Sequence, residues 1–387
     1  MFSSKKSAKK LIAVFDISSG SIGGALAKIP ADENIHPEII FSTRNIISGE
    51  HDLDFNLFLN LTLKTLQRTA QELLETRIGA PSEIHVMLSA PWSTSHKRII
   101  DFEKREEFKF TDKLLEQLLA KDSDPDLSRE VQFSGMGDLN VFEREMMRVK
   151  LNGYPILNPV NQESRHAEVE IWSSAVSSDV KSKFIESINR VFSVEPTFHS
   201  SIFSLYRLTK GLYPNEDNAI IIDIGGETTE IGIVKNDVLE QFATFPIGEN
   251  EMLRTLGQEM NTPGIDQTYN IFNMYFDGKL DSKTDKKVSE ILNAPRTKWF
   301  KGFASTLEEL SKSGLLPNTL FISANRDLQS WVYEEIFKNG LNNLTHGHAV
   351  FNGISLDEHE VSKYIDSRGG NLDTALGLQV LFTRMNK

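Results

Sequence analysis

AIIIDIGGETTEIGIV, residues 219–234, decides how the rest of the chain is read. Ile220, Ile221 and Ile222 form a β-branched run of the kind that fills a buried strand. Asp223 ends it, and Gly225-Gly226 permit a tight turn from which Ile231 to Val234 leave as a second strand. Glycines let backbone N–H groups approach an anion with no side chain in the way, and the hydroxyls of Thr228 and Thr229 add donors, so the turn can hold a phosphate. Asp223, at the strand's end, can hold a magnesium ion through water. Taken alone, the stretch is equally an ordinary hairpin with a polar tip.

The same design stands near the start of the sequence. Leu11 to Phe15 is apolar, Asp16 closes the run, Ser18, Ser19, Gly20 and Ser21 make a turn, and Ile22 to Ile29 reads as the returning strand. Asp16 and Asp223 lie about 207 residues apart, and two such hairpins facing each other can clamp one phosphate chain from both sides. Asp16 is then a second magnesium carboxylate.

Composition sets the outer limits. With 387 residues, 39% of them hydrophobic, the chain can bury a large core in two or three units. A net charge of -12 argues against a general nucleic-acid binder. The sequence has no Cys, which excludes disulfides, thiolate zinc sites and Cys nucleophiles and fits a reducing cytoplasm. No apolar run is long enough to span a bilayer. Residues 1–10 read as a flexible basic tail, a solvated leader first and, as the alternative its lysines offer, a contact with an anionic membrane surface.

Between the hairpins, 55–77 has helical apolar spacing at Leu57, Phe58, Leu61, Leu66, Ala70, Leu73 and Leu74. Glu83 to Ser89 reads as a strand, and Thr111 to Ala120 as a helix capped by Thr111. Lys121 to Gly137 reads as a surface loop, Phe142 to Leu151 and Ala167 to Trp172 as strands, and Lys181 to Phe192 as a helix. Farther on, the spacing predicts helices over 300–313 and 328–338, a short strand at 320–323, and a buried closing helix over 374–384.

DISSGS at 16–21 and DIGGETTE at 223–230 resemble the two phosphate loops of the actin-like ATPase superfamily, which also holds hexokinase. Within it the chain is most similar to the bacterial cell-division protein FtsA and to PilM of type IV pilus assembly. Residues 151–175, LNGYPILNPVNQESRHAEVEIWSSA, resemble the segment that closes the SHS2 insertion of FtsA; 242–257 and 374–384 resemble the elements after the second loop and at the end. The resemblance implies an α/β actin-like fold of two lobes with duplicated phosphate hairpins. The first lobe is 11–83 with 166–205, an SHS2-like insertion is 84–165, and the second lobe is 206–387, its closing helix 372–386 returning to the first.

Several positions depart from the family pattern. Ser18 and Glu227 stand where glycines are usual, and Glu230 where Asp is common. A carboxylate at 227 must point away from a phosphate or be neutralised. At the adenosine turn, relatives carry Gly-Gly and this chain carries Ser323, Ala324 and Asn325. From the junction that positions water in fast members, 196–208, His199 is the one candidate catalytic residue, with a structural imidazole as the alternative. His346 and His348 lack a surrounding ligand cluster.

These readings imply an FtsA-like cytoplasmic adaptor that binds ATP and magnesium, hydrolyses slowly or not at all, self-associates and recruits protein partners. Attachment to the inner face of the cell membrane would run through a partner or the Lys tail, because the membrane helix that FtsA appends has no counterpart. Cell division stands ahead of pilus assembly because of 151–175. A nucleotide-free scaffold follows, and a small-molecule kinase last, since no base Asp is aimed at a substrate hydroxyl. A chaperone is disfavoured because the sequence stops where a peptide-binding domain would start.

Overall fold

The computed structural model describes residues 9–47, 54–121, 138–324, 326–368 and 372–386. The predicted tail (1–8) and most of the predicted loop (122–137) lie outside the described residues, as does Asn325.

Strands β1 (Lys10–Ile17), β2 (Ser21–Ile29) and β3 (Glu38–Ile46) form an antiparallel meander, and β4 (Glu83–Leu88) lies parallel to β1. The helix Phe55–Glu75, capped by Asp54 accepting from the Leu57 N–H at 2.9 Å, supplies the crossover. Its buried stripe runs through Leu59, Leu66, Ala70 and Leu73; Leu57 and Leu74, expected on that stripe, are exposed.

The chain then leaves this sheet for an antiparallel one made of β5 (Ser93–Lys109), β6 (Leu139–Leu151), β7 (Tyr154–Pro155) and β8 (Glu163–Ser177), in spatial order β5-β8-β6-β7. One face packs Val149, Val169 and Ile171 against Phe110 and Leu118 beside the helix Asp112–Lys121. β8 is continuous across 165, where the sequence placed a boundary; its outer half is polar and alternating, and this hid its continuity with the apolar half. β5 has too many charges to read as a strand, because its outer half is largely exposed. One of its charges, Lys97, belongs to a buried cluster on the sheet's other face. There Glu170, fully buried, accepts from Arg148 at 2.8 Å and pairs with Lys150 at 3.0 Å and Lys97 at 3.3 Å.

After the helix Ser178–Asn189, β9 (Pro196–Ser200) pairs parallel to β4 and the helix Ser201–Leu212 follows directly. The second half repeats the plan. β10 (Ala219–Ile224), β11 (Thr229–Lys235) and β12 (Val238–Phe245) form a meander, and β13 (Thr319–Ser323) and β14 (Asn352–Ser355) add in parallel beside β10. Ile220, Ile221 and Ile222 are fully buried, as a strand covered on both faces requires. The predicted 300–313 helix is the end of a thirty-residue helix, Ser282–Ser311, that contains Pro295.

Glu240 on β12 reaches across to Arg148 at 2.9 Å and to Lys97, so the inserted sheet is ion-paired to the second half as well as joined by chain to the first. Trp172 of β8 is fully buried between Phe203 and Phe242 at the same junction. β15 (Asp366–Ser367) carries the chain back to pair with β3. The helix Thr374–Met385, capped by Asp373, then packs Leu376, Val380 and Leu381 into a core shared with Ile12 and Val14 of β1.

Candidate functional site

The two hairpins meet backbone to backbone. A Cβ on Gly20 would stand 2.9 Å from the Gly226 Cα, and one on Gly226 2.5 Å from the Gly20 nitrogen, so neither position admits a side chain without moving the opposite turn. The Glu227 N–H donates to Ser19 Oγ at 2.8 Å, which latches the second turn to the first. Beside this contact lies a cleft of about 420 Å³, within the range of small-molecule sites.

Asp16, Ser18, Gly20 and Ser21 line the cleft from one side, and Asp223, Gly225 and Gly226 from the other. Ser323 and Ala324 line it too, so the turn expected to face adenosine is at the cleft; Tyr269, Asn273 and Glu249 share that lining. Ser19, Thr228 and Thr229, expected among the phosphate donors, are engaged elsewhere. Ser19 takes the Glu227 N–H, and the Thr228 hydroxyl donates to the Ala90 carbonyl at 3.0 Å. The fully buried Thr229 hydroxyl donates to the Ile247 carbonyl at 2.7 Å and accepts from the Trp299 indole at 3.0 Å. In β11 the alternation of side chains turns Thr229 into the core, which the motif alone does not reveal.

The two aspartates are held differently. Asp16 is ion-paired with Arg44 at 2.8 Å. Asp223 accepts from the Ser201 hydroxyl at 2.9 Å and from Ser323. Burial pushes the Asp223 carboxyl up to about 6, and the charge of Asp16 adds to that, against the two hydroxyls and Arg44. Glu230, opposite Asp223 in the ladder, is buried and raised well above the usual carboxylate range, first by burial and then by Asp223.

Glu227 points away from the cleft, with its carboxylate taken by Arg254 at 2.7 and 2.9 Å and by Asn250 at 2.7 Å. This answers the charge problem that its sequence position poses. His199 does not line the cleft. Its ring stacks with His85, Nε2 lying 3.1 Å from His85 Nδ1, and its Nδ1 is 3.6 Å from Glu143, with Phe382 edge-on. From that junction the cleft is lined by Ser201, the first residue of the helix, and farther along it by Ser204, Leu205 and Leu208. Among the described residues no group of three or more His, Asp or Glu is arranged to hold a metal.

Arg44 is a cleft residue that sequence reading missed. It sits on β3, which carries no motif, and its partners are distant: Asp373 at 2.6 and 3.0 Å, Ser21 Oγ at 2.9 Å, and Asp16. Though burial works against it, the charge of Arg44 holds Asp373 below its ordinary value.

No protein-family model matches the sequence, and no curated protein does. Among solved structures the chain is similar to one from a PilM-PilN type IV pilus biogenesis complex, at 13% identity and a TM-score of 0.65, over 96% of this chain and 98% of that one. It is more distantly similar to a Bacteroides thetaiotaomicron protein of actin-like ATPase fold and unknown function (TM-score 0.43, 10% identity, 99% of each chain). A third is the ethanolamine utilization protein EutJ of Carboxydothermus hydrogenoformans (TM-score 0.41, 10% identity, 97% and 90%). With its two matched sheets and the cleft between their hairpins, the chain has an α/β actin-like ATPase fold.

Proposed function

We propose that this protein is a PilM-like assembly adaptor of a type IV pilus system, which holds ATP with magnesium between its two hairpins and contacts protein partners through its body and inserted sheet. The observation that carries this reading is the near full-length likeness to a chain of the PilM-PilN complex, insertion included. It moves pilus assembly ahead of the cell-division role that 151–175 suggested. Self-association and an indirect membrane attachment belong to the same reading; among the described residues no helix is long and apolar enough to cross a membrane.

The residues fit a nucleotide with its metal. Asp16 and Asp223, at matching strand ends, form the carboxylate pair for magnesium, and Asp223 is stabilised as an anion by any cation placed near it. Bound magnesium would neutralise phosphate charge there. Gly20, Gly225 and Gly226 leave the backbone open to the phosphates, Ser18 and Ser21 offer hydroxyls, and Ser323 and Ala324 border the adenosine end. Slow turnover follows from Ser201. A serine hydroxyl that donates to Asp223 is no base for water, and His199 lies outside the cleft against His85, Glu143 and Phe382.

Calorimetric titration with magnesium-ATP, and co-purification with a PilN-like protein of the same organism, test the two halves of the proposal. Binding in the micromolar range with fewer than one turnover per minute, and a stoichiometric complex, are expected. The latch between the hairpins, Glu227 N–H to Ser19, favours the nucleotide-free scaffold as second reading, since it holds the turns together with protein atoms alone. No binding at millimolar ATP would put that reading first.

A further inference from the structure

We propose that Arg44 is a phosphate-binding residue of the cleft, which exchanges its contact with Asp16 for a phosphate oxygen when magnesium engages Asp16. The inference rests on the nucleotide reading above and deepens it.

Five carboxylates line the cleft, those of Asp16, Asp223, Glu249, Glu358 and Asp373, and Arg44 is the one Lys or Arg among the described lining residues. A polyanion entering this cleft therefore meets a negative field with a single fixed cation in it. The guanidinium is built to be that cation. Its Nε and Nη2 are held by both oxygens of Asp373, a two-pronged pair that fixes the plane of the group. Asp373 is itself fixed, because it accepts the Leu376 N–H as cap of the last helix.

The contacts of Nη1 are of another kind. They go to Asp16 at 2.8 Å and to Ser21 Oγ at 2.9 Å, the carboxylate and the hydroxyl of the first phosphate hairpin. The side chain keeps 29% of its surface exposed, so a ligand can reach it. With Asp16 engaged by magnesium, Nη1 would lack its anionic partner while Asp373 would still anchor the other side of the guanidinium. An oxygen of the phosphate beside Ser21 is the natural replacement. Gly23 leaves the room this needs: a Cβ there would stand 2.7 Å from Nη2.

Calorimetry on the full chain with magnesium-ATP, magnesium-pyrophosphate and adenosine tests the proposal, using Arg44→Gln, Arg44→Lys and Gly23→Ala beside the unaltered protein. Circular dichroism and melting confirm that each variant is folded. Arg44→Gln is expected to weaken both phosphate ligands by tenfold or more and leave adenosine unchanged. Arg44→Lys should recover part of the loss. Gly23→Ala, which displaces the guanidinium and keeps its charge, should weaken the phosphate ligands alone. Equal loss for adenosine and ATP, or ATP binding unchanged in all three variants, would overturn the role of Arg44 and leave the nucleotide reading standing. Failure of the unaltered protein to bind any of the phosphate ligands would overturn both.

Discussion

The two hairpins are copies in sequence design and opposites in chemistry. In the first, the strand-ending carboxylate of Asp16 has a full cationic partner in Arg44, and serines face the cleft. In the second, Asp223 has two neutral hydroxyls, a carboxyl raised to about 6, and threonines that serve the surrounding fold. One turn carries a paired charge and the other an uncompensated one. An Asp followed by a small-residue turn thus fixes the backbone shape of such a loop, while its charge state is set by residues from other strands.

The strongest break of this contrast is at Asp223. Asp223→Asn is expected to remove the rise in melting temperature that magnesium-ATP gives the parent, which corresponds to a stabilisation of about 2.7 kcal/mol at a hundredfold excess of ligand over its dissociation constant. Thermal melting with and without nucleotide reads it directly, and a variant that still responds to ATP would free Asp223 from the metal role.

Next in size is the backbone contact. Gly226→Ala places a methyl against the Gly20 backbone, and overpacking of that kind costs about 1–3 kcal/mol. Denaturant unfolding should show it. An unchanged midpoint would mean that the hairpins separate freely in solution.

The Asp223→Asn variant without ligand sharpens the charge difference. The folded carboxyl titrates near 6, above its ordinary 3.8, so the unfolded chain loses its proton first as pH rises. Stability relative to a neutral side chain is therefore intact below pH 4 and falls through the window between 4 and 6. At pH 7.5 the variant should be more stable than the parent by about 1–2 kcal/mol, the full shift being discounted for solvent screening. The gain should vanish at pH 4, and a gain independent of pH would assign it to something other than charge. The smallest effect is expected at Glu227: Glu227→Gln breaks a half-exposed pair with Arg254 and should cost under about 1 kcal/mol by chemical denaturation, with ATP affinity unchanged.

Much of this architecture was legible because apolar runs ending in Asp before small residues report both strand burial and turn geometry. Asp16, Asp223 and the glycines came to the cleft as read. What escaped had its cause far along the chain. Arg44 is recognised only beside Asp373, and Glu227 is harmless only beside Arg254, two strands later in the next helix. His199 and Ser201 are two residues apart, and the passage from strand to helix between them decides which one the cleft receives. β5 was hidden because its outer half is exposed and charged and its Lys97 answers Glu170 and Glu240, which no local pattern can announce.

The pairing of Glu240 with the inserted sheet has a mechanical meaning. The insertion is joined to the first sheet by its two chain ends and to the second by charge and by Trp172 against Phe242, so it bridges the two halves like a strut. A pull on its outer loops is delivered to β12, passes through the antiparallel ladders of β11 and β10, and arrives at the strand whose end is Asp223. A nucleotide bound at that strand would then feel a load placed on the insertion, and because the linking charges are largely buried, salt would screen the linkage only weakly.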